Sequence, residues 1–88
     1  ITVNGSAEVR MNANEHYVAL VNFNISSGPD LKVYLSKSNV PNGFVNLGAL
    51  VNNKNIYSIP NGVVLSEYTH VLIHCQQYNH LFAGAQLN

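Results

Sequence analysis

Residues 67–78 read Glu67-Tyr68-Thr69-His70-Val71-Leu72-Ile73-His74-Cys75-Gln76-Gln77-Tyr78, and the reading of this stretch decides the fold. Its centre, Val71-Leu72-Ile73, is apolar and mostly β-branched, the composition of a strand. Neighbouring side chains on a strand point to opposite faces. Val71, Ile73 and Cys75 therefore share one face, and His70, Leu72, His74 and Gln76 share the other. The first reads as the core face, so Cys75 is expected to look into or along the core and His74 away from it. The stretch holds the chain's only cysteine and two of its four histidines, with His80 just beyond. No other stretch concentrates so many groups able to do chemistry.

The same alternation runs outward from this centre, and helix signals are nearly absent. Ser6–Met11 places Ala7, Val9 and Met11 on one face and the charges Glu8 and Arg10 on the other. Asn12-Ala13-Asn14-Glu15 is polar and turn-like. Tyr17–Ile25 alternates again and reads with Tyr17, Ala19, Val21, Phe23 and Ile25 inward and Asn22 and Asn24 outward, completing a hairpin. Ser26-Ser27-Gly28-Pro29-Asp30 breaks the pattern with turn residues. Leu31–Lys37 resumes it with Leu31, Val33 and Leu35 on the core side, and 39–43 is a loop. Phe44–Leu50 is a short strand carrying Val45 and Leu47, followed by the polar tract 52–55. Ile56–Ile59 is a strand ended by Pro60. Asn61-Gly62 turns the chain, Val63–Glu67 leads into the central stretch, and Ser66 could cap one helical turn there. In the last segment, 81–87, small residues face one way, as where strands pack closely. About seven short strands at this spacing predict an all-β fold, a small antiparallel β-sandwich or a closed barrel. No internal repeat or linker interrupts it, so residues 1–88 read as a single domain.

With 88 residues, such a chain buries roughly 60–65% of its unfolded surface, so the core is thin. The charged fraction of 9% is far below the usual ~25%, and asparagine supplies much of the polar surface instead. A formal net charge of +0 with no basic run argues against nucleic acid and against an anionic membrane surface. The apolar runs are too short for a spanning helix, so membrane insertion of this domain is not expected. One cysteine excludes an internal disulfide, and the fold must stand on packing. The chain starts at Ile1, which suggests a processed N-terminus. Sequons at Asn4 and Asn24 are no more than so many asparagines produce by chance.

An ordered set of motifs then resembles a known family. Gly28-Pro29-Asp30-Leu31 and Val33-Tyr34-Leu35-Ser36 come first. Leu47-Gly48-x-Leu50 and Tyr57-Ser58-Ile59-Pro60 follow, then Val71-x-Ile73-x-Cys75-x-x-Tyr78, Phe82 and Ala85-x-Leu87. Together they resemble the DM-thirteen (Skeletor-type electron-transfer) domain over nearly the whole chain. The resemblance implies an extracytoplasmic all-β domain (secreted, periplasmic or lipid-anchored), of a kind often found beside DOMON and cytochrome-like domains. It also implies a part in redox or electron transfer through a cysteine, matched here by Cys75, with a redox partner protein or an adjacent domain. Three positions depart from the family pattern: His74 stands where Trp is usual, Tyr78 where Phe is usual, and Ala83 where Gly usually follows Phe82.

For Cys75 the residues leave two readings. A redox thiol needs access and a cationic or hydrogen-bonding neighbour, which His70, His74 or His80 could supply. A buried cysteine is otherwise a small hydrophobe. Its place where the apolar run gives way to Gln76 and Gln77 suggests the rim of a sandwich, with partial access. His80 would approach it if the chain turns at Tyr78-Asn79. A metal centre is not expected: His74 and Cys75 point to opposite faces, and His70 and His74 lie about 13 Å apart along a strand. No cofactor is expected from the residues. Hydrolase chemistry lacks its parts, since there is no nucleophile elbow or phosphate loop and Asp30 is the sole aspartate. Gly28-Pro29-Asp30 reads as a structural turn. Tyr34 and Tyr57 read as surface aromatics or as an analogue of the tyrosine corner of sandwich domains. The expected role is an accessory redox domain without stand-alone enzyme activity. The alternative is a binding or structural module in which Cys75 is core.

Overall fold

The computed structural model describes residues 4–24, 30–51 and 54–87. Seven strands run through them: β1 Asn4–Asn12, β2 Glu15–Asn24, β3 Leu31–Ser36, β4 Val45–Ala49, β5 Ile56–Ser58, β6 His70–Cys75 and β7 His80–Gln86. The expectations for Ile25, for 26–29 and for the 52–53 part of the polar tract lie outside the described residues. The strands form two antiparallel sheets, a three-stranded one in the order β1-β2-β5 and a four-stranded one in the order β4-β3-β6-β7. The sheets meet through an isolated parallel bridge between Ala7 and Leu87. The fold is therefore a sandwich, and the closed-barrel alternative does not hold.

The core lies between the sheets. Leu31, Val33 and Leu35 of β3, Val71, Ile73 and Cys75 of β6, and Ala83 of β7 meet Ala7, Val18, Leu20, Tyr57 and Ile59 across it. Burying one such Leu, Ile or Val side chain stabilises the fold by about 1.5–3 kcal/mol. Tyr57 is fully buried, not a surface aromatic. Its hydroxyl donates to the Lys54 carbonyl at 3.0 Å and accepts from the Val51 amide at 3.2 Å. That satisfies the one polar atom of a large core side chain and fastens the approach to β5, as a tyrosine corner does.

Three local expectations are overturned. In β2 the inward residues are Val18 and Leu20, not Tyr17, Ala19 and Val21. Ala7 pairs with Leu20 and Val9 with Val18, and directly opposed residues share a face. Tyr17 and Ala19 instead pair with Ser58 and Ile56 on the opposite face of the sheet, where Ala19 is still buried. A β-bulge then changes the phase. Between the Ser6–Val21 and Asn4–Asn24 pairs, Gly5 alone faces Asn22 and Phe23. Asn22 takes a positive φ of 55°, and the extra residue returns Phe23 to the core side. Met11, beside the turn that closes the hairpin, is 66% exposed. Ser66 caps nothing: it lies inside the 3₁₀ turn Leu65–Glu67, whose N-cap is Val64 and which has no side-chain cap.

Gly5 tests the bulge. It sits at φ 118°, and a Cβ there would lie 2.5 Å from the Val21 carbonyl oxygen. Gly5→Ala is expected to cost about 2–4 kcal/mol of stability, read as a lower urea midpoint with an unchanged slope. An unchanged midpoint would mean that the two hairpin strands are not joined this way.

Candidate functional site

β6 is hydrogen-bonded on both sides, and all five residues Val71–Cys75 are buried. Cys75, its last residue, is 1% exposed. It is paired with Leu31 of β3 on one side and His80 of β7 on the other. The rim position expected for it is thus corrected. The ladder does not stop at Cys75, because the Gln76 amide donates to the Asp30 carbonyl at 3.1 Å and carries the β3–β6 pairing one residue further. The chain then reverses through residues 76–79. Asn79 has a φ of 49°, and its amide donates to the Gln76 carbonyl at 3.4 Å. This reversal places His80 across the ladder from Cys75. His80 is exposed, and its ring meets Phe82 edge-on at 5.3 Å. The buried thiol therefore sits at the end of β6, immediately before the 76–79 turn, with the exposed His80 across the ladder from it.

His74 points to the opposite face, as expected, but not into water. It is 5% exposed and stacks on Tyr34 at 5.2 Å, and Tyr34 in turn stacks on Phe44 at 4.1 Å. Tyr34, also expected at the surface, is 3% exposed. Leu72 completes this outer layer and is fully buried. Its cross-strand partner is Gly84, where a Cβ would come within 2.9 Å of the Leu72 side chain. The loop that brings Phe44 over the sheet is organised by buried Ser36. Its hydroxyl donates to the Val40 carbonyl at 2.9 Å and accepts from the Asn42 amide at 3.2 Å.

His74 Nε2–H donates to Asn79 Oδ1 at 3.1 Å, which ties the outer layer to the turn that follows Cys75. The other ring nitrogen, Nδ1, is buried and has no hydrogen-bond partner among the described residues. An unpaired buried acceptor costs about 1–3 kcal/mol, which the ring stacking helps to offset. Lys32 lies across from His74 in the ladder and pairs with the Asp30 carboxylate at 2.7 Å. Burial raises the Tyr34 phenol above its ordinary value near 10, the Asp30 carboxylate raises it further, and the Lys32 ammonium partly opposes both.

The remaining candidates do not converge. His70 pairs with Gln86, and its Nδ1 lies 2.7 Å from the Thr69 hydroxyl. His16 pairs with Met11 in the other sheet. Among the described residues no three of His, Cys, Asp and Glu come together to hold a metal ion. Asp30, at φ 55°, closes the turn into β3, and its carboxylate is held by Lys32. Sequence reasoning missed the Phe44–Tyr34–His74 stack and the Asn79 contact. The one available signal was an aromatic, Tyr34, facing the same side as His74 in the alternation.

The family model described as Electron transfer DM13 matches residues 2–87. No curated protein and no solved structure matches the chain.

The raised phenol gives a pH dependence with a definite sign. The folded state holds the Tyr34 proton more tightly than the unfolded state. Its contribution to stability is therefore fully present below about pH 10 and is lost as pH rises through the folded-state value. Denaturation midpoints across alkaline pH are expected to fall less steeply in Tyr34→Phe than in the parent. Ultraviolet titration of that variant should also lose one tyrosine that ionises above the ordinary value. Identical profiles would show that Tyr34 is not buried in this way.

Proposed function

We propose that this chain, which belongs to the electron-transfer DM13 family, is an extracytoplasmic accessory domain that exchanges redox equivalents with a partner protein or an adjacent domain through Cys75. The observation that carries the reading is the placement of the chain's single thiol. It occupies the last position of the central strand, directly across the ladder from an exposed histidine and immediately before a four-residue turn. Opening of that turn is a local event, cheaper than unfolding the sandwich. It would present the thiol to a partner, with His80 placed to take the proton. The thiolate then attacks a partner disulfide, the partner S–S bond breaks, and one partner thiolate leaves. A chain with one cysteine cannot resolve the mixed disulfide itself, so the resolving thiol comes from outside it. Nothing in this step calls on a cofactor in the domain, and a redox group, if used, belongs to the partner. Among the described residues no helix is long and apolar enough to cross a membrane.

A second reading is favoured by the 1% exposure of Cys75 and its membership of the core. In it the thiol is a packing residue and the domain is a binding or structural module.

Thiol labelling of the native protein separates the two. The redox reading expects labelling faster than global unfolding, gated by the turn. Asn79→Ala removes the hydrogen bond from His74 and replaces a residue type that tolerates positive φ with one that adopts it less readily. It is expected to raise the labelling rate by roughly 10–30-fold. Cys75→Ser should abolish exchange with a disulfide partner in a chain that still folds. Labelling that only tracks global unfolding, in the parent and in Asn79→Ala alike, would leave Cys75 as packing and overturn the redox reading.

A further inference from the structure

Asn-Gly occurs three times in the chain, at 4–5, 42–43 and 61–62. In such a pair the glycine amide nitrogen can attack the asparagine side-chain carbonyl carbon, because no side chain on the following residue hinders the approach. A C–N bond forms, ammonia leaves, and a succinimide ring results. Water then opens the ring to aspartate or to isoaspartate, in which the main chain runs through Cβ. The sum is amide plus water giving carboxylate plus ammonium, with no oxidant or reductant. The reaction needs backbone freedom at both residues, and the fold distributes that freedom very unequally.

Asn4–Gly5 lies in β1 within the bulged ladder, where Gly5 is crowded by the backbone of Val21 and Asn22. Asn42–Gly43 is exposed but held. The Asn42 amide donates to Ser36 Oγ at 3.2 Å, and the Asn42 carbonyl accepts from the Lys37 amide at 3.2 Å. The Lys37 side chain also lies 3.1 Å from where a Gly43 Cβ would be. Asn61–Gly62 differs on every count. Both residues are exposed in a turn, and neither makes a hydrogen bond to any described residue. Gly62 has no atom within 4 Å of its Cβ position and sits at φ 92°.

We infer that Asn61 is the site of spontaneous succinimide formation in the folded protein, yielding aspartyl and isoaspartyl forms there and not at Asn4 or Asn42. The change adds a negative charge to a chain of formal net charge +0. The isoaspartyl carboxylate it creates is the substrate class of S-adenosylmethionine-dependent carboxyl methyltransferases that recognise this linkage. The turn lies two residues beyond buried Ile59, so the inserted methylene falls outside the core.

The test ages the full chain at neutral pH in the folded state and, in parallel, in concentrated urea. Double digestion with trypsin and a glutamate-specific protease then separates the three sites. Amide loss is followed by mass, and isoaspartate by enzymatic methyl transfer. In the folded protein Asn61 is expected to convert roughly tenfold or more faster than Asn42, which must first break two local hydrogen bonds. In urea the spread among the three sites should shrink, since only the fold separates them. Asn61→Gln should remove the native isoaspartate signal without shifting the melting temperature. Conversion of Asn42 or Asn4 at the Asn61 rate in the folded protein would overturn the inference, as would a native signal that survives Asn61→Gln.

Discussion

The double pairing of β6 is the constraint on which the rest depends. The strand is bonded to β3 on one side and β7 on the other, and both of its faces are dry. One face supplies Val71, Ile73 and Cys75 to the core between the sheets. The other, Leu72 and His74, is covered by a thin second layer built from Tyr34 and Phe44. A strand buried on both faces normally reads as an unbroken apolar run. Here one position on the outer face is an imidazole, and the structure accommodates it by stacking it on Tyr34 and giving one nitrogen a partner in the turn.

That arrangement couples two features that sequence places on opposite faces. Cys75 looks inward and His74 outward, yet the 76–79 turn that follows the thiol is held from outside by the His74–Asn79 hydrogen bond. The turn also relies on the Gln76–Asp30 backbone bond and on the positive φ of Asn79. A family-level role in electron transfer and a buried thiol are compatible if the hairpin opens as a unit.

The small size of the domain makes such local devices matter. With few charges, the protein uses ion pairs sparingly, at Glu8–Arg10, Asp30–Lys32 and Lys37–Glu67. Exposed pairs of this kind contribute little. Order in the connections comes instead from single polar groups with several partners. Ser36 Oγ arranges the loop that carries Phe44, and the Tyr57 hydroxyl anchors the segment before β5. Each is a buried polar atom whose hydrogen bonds are made, which is the condition under which burial stabilises rather than penalises.

The sequence by itself determined the strand pattern, the all-β class, the inward faces of β1, β3 and β6, and the resemblance through which Cys75 became a candidate. Those follow from period-two alternation and ordered motifs, which are local. Tertiary structure alone decided the rest. The inward face of β2 turned on its pairing with β1 and on the bulge at Asn22, because a strand with apolar residues on both faces has no phase of its own. The exposure of Cys75 turned on how far the β3 ladder runs beyond it, and the burial of His74 and Tyr34 on a loop folding back from 37–44. Depth and covering depend on what other segments lie above a residue, and no alternation along one strand encodes that.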